Sequence, residues 1–268
     1  MRVEYEKEMN APPHPQTPAP PESLDYWRES RQPIAGLIFV APLLVGYEAG
    51  VLILGPQAIR NGADVWLRGL LDLLDLGQYF LLPVLTVGIL LAWHHATRRP
   101  WRVSRGVLSG MLVETVLLAL CLRVILQVQT LGWRMMAHSP ALSWQQAGAL
   151  PEAAYTWAGV IGFFGAGVYE ELLFRLILLS AVIWAVRQSG MAAGPAAAVS
   201  VLATSFLFAA AHYVGPYGDA VQWAAYAFWF GLLFRCLAGV FFSILFLSRG
   251  FGIAAGAHAG YNILVKLL

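Results

Sequence analysis

Residues 167–179 read GVYEELLFRLILL. Two adjacent glutamates and an arginine, Glu170, Glu171 and Arg175, sit in a run otherwise as apolar as lipid. Each ionised group there costs about 2.5–3.5 kcal/mol on insertion scales. On a helix, Glu171 and Arg175 are four apart, about 40° round, and pair on one face. Glu170 points about 100° from the first and about 140° from the second. One glutamate is thus neutralised. The other must find a partner on another helix, take a proton, or face a water-filled cavity. On this stretch alone two readings stay open, a structural ion-pair network and a functional site.

The rest of the chain makes the surroundings of that run a membrane. Of 268 residues, 59% are hydrophobic and 12% charged, and mean hydropathy is +0.64. Soluble domains carry about 25% charged residues. The expected fold is all-α, a polytopic transmembrane bundle of about seven to eight spans. A spanning helix needs about 20 mainly apolar residues, and the candidates are 33–54, 76–93, 107–131, 155–184, 195–214, 221–247 and 251–268. The fourth is too long for one level crossing and carries Gly159, Gly162, Gly165 and Gly167. It reads as one tilted, tightly packed helix or as a short segment plus a helix, which is the source of the eighth span. Residues 33–131 form the N-terminal transmembrane helices and 155–268 the core that holds the polar residues.

Residues 1–32 differ in composition, with the run NAPPHPQTPAPPES at 10–23. This tail is expected to be disordered and extended, a linker rather than a signal peptide. Between the first two spans, DVWLRGLLDLLDLG (64–77) sets Trp66, Leu67, Leu70, Leu71 and Leu74 against Arg68, Asp72 and Asp75 in a helical rhythm, as an interfacial amphipathic helix does. Arg98, Arg99, Arg102 and Arg105 in HHATRRPWRVSR (94–105) mark a cytoplasmic loop, which puts the N-terminus in the cytoplasm. The expected location is an integral, multi-pass membrane protein, in the plasma membrane if the cell is bacterial. Net charge is only +2, so no basic field exists for nucleic acid. Cys121 and Cys236 read as small buried hydrophobes.

Two later segments supply partners for the free glutamate. In SFLFAAAHYVG (205–215), Phe208 and His212 share a helix face with alanines between them. In GIAAGAHAGYNILV (252–265), His258 and Asn262 share another, flanked by Gly256, Ala257, Ala259 and Gly260. A single intramembrane histidine is more often a hydrogen-bonded packing residue than a catalyst. Two, on separate helices among small residues, are harder to assign to packing. One carboxylate, two imidazoles and a carboxamide are what water-driven amide hydrolysis requires, a base for the water and donors for the oxyanion. In that assignment Glu170 activates water, His212 orients the water or binds a metal, and His258 with Asn262 stabilises the oxyanion.

EELLFR (170–175), FAAAH (208–212) and HAGYN (258–262) resemble the ordered EExxxR, FxxxH and HxxxN motifs of the CPBP family of intramembrane proteases. That family includes the eukaryotic prenyl-protein (CAAX) endopeptidases and the bacterial Abi and bacteriocin-immunity proteins. The resemblance covers about residues 155–268. It implies an active site of Glu170, His212, His258 and Asn262, supported by Glu171 and Arg175, inside an all-helical core with a water-accessible cavity. It implies a membrane-associated or lipidated peptide or protein as substrate. Glu170, His212 and His258 are also the candidate ligands of a Zn²⁺ site with one open position. There is no HExxH, and a metal-free glutamate mechanism needs the same residues, so both cofactor states stand. The competing function classes are a transporter or proton relay using the same buried groups, and a non-catalytic immunity-type binder. Glu48, Glu114, Arg123 and Arg235 are expected to serve packing and interhelical pairing, and His94 and His95 to lie at the membrane surface.

Overall fold

The computed structural model describes residues 22–58, 60–77, 79–137, 157–215 and 218–267. Every regular element among them is helical. Helix α1 is Glu22–Glu29, α2 is Pro33–Leu54, α3 is Gly62–Leu73, α4 is Leu81–Thr97 and α5 is Arg105–Ala137. Residues 157–188 form one unbroken helix, α6, made of Trp157–Gly165, a π-helical stretch Ala166–Leu179 and Ser180–Gln188. Then come α7, Ala193–Ala211, α8, Tyr226–Arg249, and α9, Phe251–Leu267. The continuity of α6 removes the short-segment-plus-helix alternative for the described part of that region.

Helices α2, α5, α7 and α8 are long and apolar enough to cross a membrane, and α4 is a shorter apolar helix. Their outer faces are apolar as well. Leu112, Val116, Val124 and Val128 on α5 are all exposed, a surface suited to lipid rather than water. Cys121 lies on the same outward side and is exposed, and Cys236 is half-buried, which corrects the expectation of two buried cysteines. In a membrane chain, apolar neighbours place a small residue facing lipid as readily as facing the core.

The N-terminal tail is ordered at its end. Residues 22–29 form α1, correcting the expectation of disorder there, while 1–21 lie outside the described residues. Tyr26 donates to Glu114 Oε2 at 2.5 Å, and Arg249 holds both oxygens of Glu114 at 2.6 and 2.7 Å and donates to Ser30 Oγ at 2.8 Å. Burial and the Glu114 carboxylate push the Tyr26 phenol up to about 12, so it remains a donor at neutral pH. A long-range ion pair thus orders a segment whose composition reads as linker.

Helix α9 is the centre of the bundle and packs against α2, α5, α6 and α8. Ile253, Ala254, Ala255, Ala257 and Ala259 are fully buried or nearly so. Gly250, at φ +88°, makes the one-residue turn from α8 into α9 in a conformation that favours glycine. Gly167 lets α6 approach α9 closely. A Cβ there would lie 2.7 Å from Ala259 Cβ and 2.8 Å from the Ala255 carbonyl oxygen. Gly167→Val is therefore expected to push the two helices apart and to lower stability by about 1–3 kcal/mol. A thermal unfolding midpoint in detergent measures it, and an unchanged midpoint would refute the tight crossing.

Candidate functional site

The π-helical stretch of α6 carries the two glutamates into the centre of the bundle; π segments are rare and often mark functional sites. Its turn keeps Glu171 and Arg175 on one face. Arg175 Nη1 donates to Glu171 Oε1 at 2.9 Å, and both side chains are buried. Arg175 Nη2 reaches the Gly239 carbonyl on α8 at 3.3 Å, and its guanidinium lies 4.3 Å from the Phe208 ring centroid. The pair expected from spacing is present, and it ties α6 to α7 and α8.

Glu171 has a second task that spacing does not reveal. Its Oε1 also accepts from His258 Nδ1 at 2.7 Å, so it orients the imidazole on α9. Phe242 stacks on the other side of that ring at 4.4 Å and 15°. His212 ends α7, with its Nδ1 2.8 Å from the Phe208 carbonyl. A carbonyl only accepts, so Nδ1 is the donor and the tautomer is settled, with Nε2 carrying the lone pair when the ring is neutral.

Both imidazoles turn Nε2 toward Glu170. Glu170 Oε2 is 3.7 Å from His258 Nε2 and 4.0 Å from His212 Nε2. That oxygen is buried and has no hydrogen-bond partner. Glu170 Oε1 accepts from Asn61 Nδ2 at 2.7 Å. The carboxylate is therefore held by one oxygen and uncommitted at the other. A fixed, buried acceptor with no protein donor in a bundle core can accept from a water or from a bound polar group.

His212 and His258 open onto a cavity of about 580 Å³ lined also by Phe208, Arg235, Phe242 and Asn262. This size falls in the range of small-ligand and peptide pockets, about 300–1,000 Å³. Asn262, one turn beyond His258 on α9, is half-buried. Glu170, Glu171, Arg175, His212 and His258 are thus brought into contact, and Asn262 joins them through the shared cavity.

A zinc ion needs ligand atoms about 2.0–2.2 Å from one point, which sets tetrahedral ligand atoms about 3.3–3.5 Å apart. The spacings from Glu170 to the two imidazoles are wider, and among the described residues no group of three His, Cys, Asp or Glu is arranged to hold a metal. As they stand, these side chains do not fit the zinc site weighed from the sequence.

Asn61 is the residue that sequence reasoning missed. It caps α3, its Oδ1 accepting from the Ala63 amide at 2.9 Å, while its Nδ2 holds Glu170. An asparagine just ahead of an amphipathic helix signals a cap, but nothing local points to a carboxylate 109 positions away. Asn61 is fixed from below by a polar network. Tyr47 accepts from the Asn61 amide at 3.3 Å and donates to Asp64 at 2.9 Å. Arg60 and Arg68 both pair with Asp64, and Arg68 also with Glu48, which accepts from Tyr169. Asn61→Ala is expected to lower kcat about 10–100-fold with little change in KM, as the conservative loss of a positioning contact does. Steady-state kinetics separate the two constants, and a pure KM effect would refute the positioning role.

Of the remaining polar residues, Glu48 and Glu114 pair across helices, as expected. Arg235 lines the cavity and pairs with Asp219 in the loop before α8, with its guanidinium over the Tyr213 ring. Arg123 is half-buried with no carboxylate partner among the described residues, so packing is the part of its expected role that the structure shows, and its Nε is buried and unpartnered. His95 is exposed, and His94 is fully buried, edge-on to Trp101 at 4.6 Å.

Residues 152–264 match the family model described as Rce1-like, type II CAAX prenyl endopeptidase. The matched segment contains all three motifs, in agreement with the resemblance they carry, and the family implies a protease of membranes. No curated protein and no solved structure matches the chain.

Proposed function

We propose, from the Rce1-like match over residues 152–264 and the geometry of Glu170, that this protein is an intramembrane endopeptidase using a glutamate-activated water. The single observation that carries the mechanism is Glu170 Oε2, buried, without a partner, and facing two imidazole nitrogens. A water about 2.8 Å from that oxygen and from His212 Nε2 satisfies both acceptors with its two protons. Glu170 takes one proton as the water oxygen attacks the scissile carbonyl carbon. The oxyanion that forms is met by the Asn262 amide and by His258. Glu171 holds His258 through Nδ1, which leaves its Nε2 turned toward Glu170 and the cavity. Glu170 then gives its proton to the leaving nitrogen, the C–N bond breaks, and a carboxylic acid and an amine result.

The substrate proposed is a peptide held at the membrane by a lipid group, of the prenylated CAAX type. The family description supports this, and so does a cavity opening between apolar helices. The test is proteolysis by the purified protein in liposomes against matched prenylated and unprenylated peptides. Prenylated peptides are expected to be cleaved at least tenfold faster. Equal rates would overturn the lipidated substrate, and no cleavage of either would return weight to the binding or transport readings.

The same assay decides the cofactor. A site that works without metal keeps its activity through exhaustive chelation, and that is the expected result. Loss on chelation with recovery on added Zn²⁺ would replace the glutamate–water scheme with a zinc-assisted one.

A further inference from the structure

A second cavity, of about 520 Å³, lies where α1 ends, α2 begins and α4 ends. Its walls include Trp27, Arg28, Arg31, Gln32, Trp93 and Arg99. Arg28 is paired with Asp25 at 2.5 Å, but Arg31 and Arg99 have no carboxylate partner among the described residues. Helix α2, 22 residues long, starts here with Pro33 and has no acidic residue in its first turn, so its positive end adds to the two free charges. Two arginines, a helix start and two tryptophans describe a pocket for an anion at a membrane boundary.

The place of the pocket says where such an anion comes from. It sits at adjacent ends of two apolar helices, and Trp27 and Trp93 are the kind of side chain that lies at the membrane–water boundary. Further along the same helices Ile38 on α2 and Ile89 on α4 are exposed apolar side chains, suited to lipid. We infer that this cavity binds the headgroup of an anionic phospholipid, its phosphate held by Arg31 and Arg99. Basic pockets between helix ends recognise lipid phosphates in this way. A bound lipid here would also brace α1 through Trp27, whose ring receives the Arg249 guanidinium at 3.8 Å.

The test uses the full chain, purified in neutral detergent and exposed to mixed phosphatidylcholine and phosphatidylglycerol, with retained lipid read by native mass spectrometry. Phosphatidylglycerol is expected to be retained in preference. Arg31→Gln and Arg99→Gln should each reduce that preference about fivefold. Arg187→Gln, an exposed arginine at the end of α6 and away from the cavity, should not. Unchanged retention in both cavity variants, or an equal loss in Arg187→Gln, would overturn the site. A competition arm with millimolar inorganic phosphate separates the sources. No displacement supports a lipid headgroup, whereas full displacement would overturn the lipid and leave a free-phosphate site. Equal melting temperatures of all forms without added lipid ensure that lost retention is not lost folding.

Discussion

Glu170→Gln is expected to reduce kcat by about 10³-fold, within the 10²–10⁴ range that a positioned general base supplies. The substitution keeps the shape of the side chain and an oxygen for the Asn61 amide, which now lies 2.7 Å from Glu170 Oε1. What it removes is the ability of Oε2 to accept a proton from water. A purely structural Glu170 makes a different forecast. If its charge held the bundle together through His212 and His258, neutralising it would cost several kcal/mol, as breaking a buried pair does. The catalytic reading expects an unfolding midpoint equal to or above that of the unaltered protein, because a buried uncommitted charge is itself costly. Activity and melting temperature on the same preparation distinguish these outcomes. A variant that cleaves normally, or one that is inactive only because it has unfolded, would sink the assignment.

Arg175→Met carries the largest expected effect on stability. The side chain is 1% exposed, and its loss leaves Glu171 buried without its cation. The expected cost is about 3–5 kcal/mol, enough to unfold many membrane proteins at moderate temperature. Combining it with Glu171→Gln removes the orphaned charge, so the double variant should be more stable than Arg175→Met alone. A coupling energy above about 1 kcal/mol is expected for groups in direct contact. The double variant will not return fully to the starting stability, because the cation–π contact with Phe208 and the bond to the Gly239 carbonyl are lost as well. It should also be catalytically poor, since Glu171 is the group that orients His258. Denaturant titrations of the four forms give the cycle. Additive effects would show that the pair is not the buried unit described.

The motifs were legible because helical spacing is short-range. Glu171 and Arg175 pair at four residues apart, and Glu170 points elsewhere, as the turn of a helix requires. The apolar character of the runs also announced a helical membrane bundle without any fold information. Other parts were not legible for equally physical reasons. Asn61 reads as a cap and is one, and its second hydrogen bond depends on where α3 docks on α6. The order in α1 depends on Glu114 and Arg249, each far away in sequence. The fate of Cys121 and His94 followed from which face of a helix meets lipid and which meets the core, and a helix that is apolar all round hides that difference.

The amino-acid sequence alone determined the solvent of this protein, its helical class, and the six polar residues worth following, because hydropathy and helix periodicity are local properties. Tertiary structure decided how those residues face one another. It turned both imidazoles toward one oxygen of Glu170, bound the other oxygen to Asn61, gave Glu171 to His258, and put Asn262 in the same cavity. Hydrogen bonds between helices depend on distances of a few ångströms set by close packing at positions such as Gly167, and no local pattern encodes them.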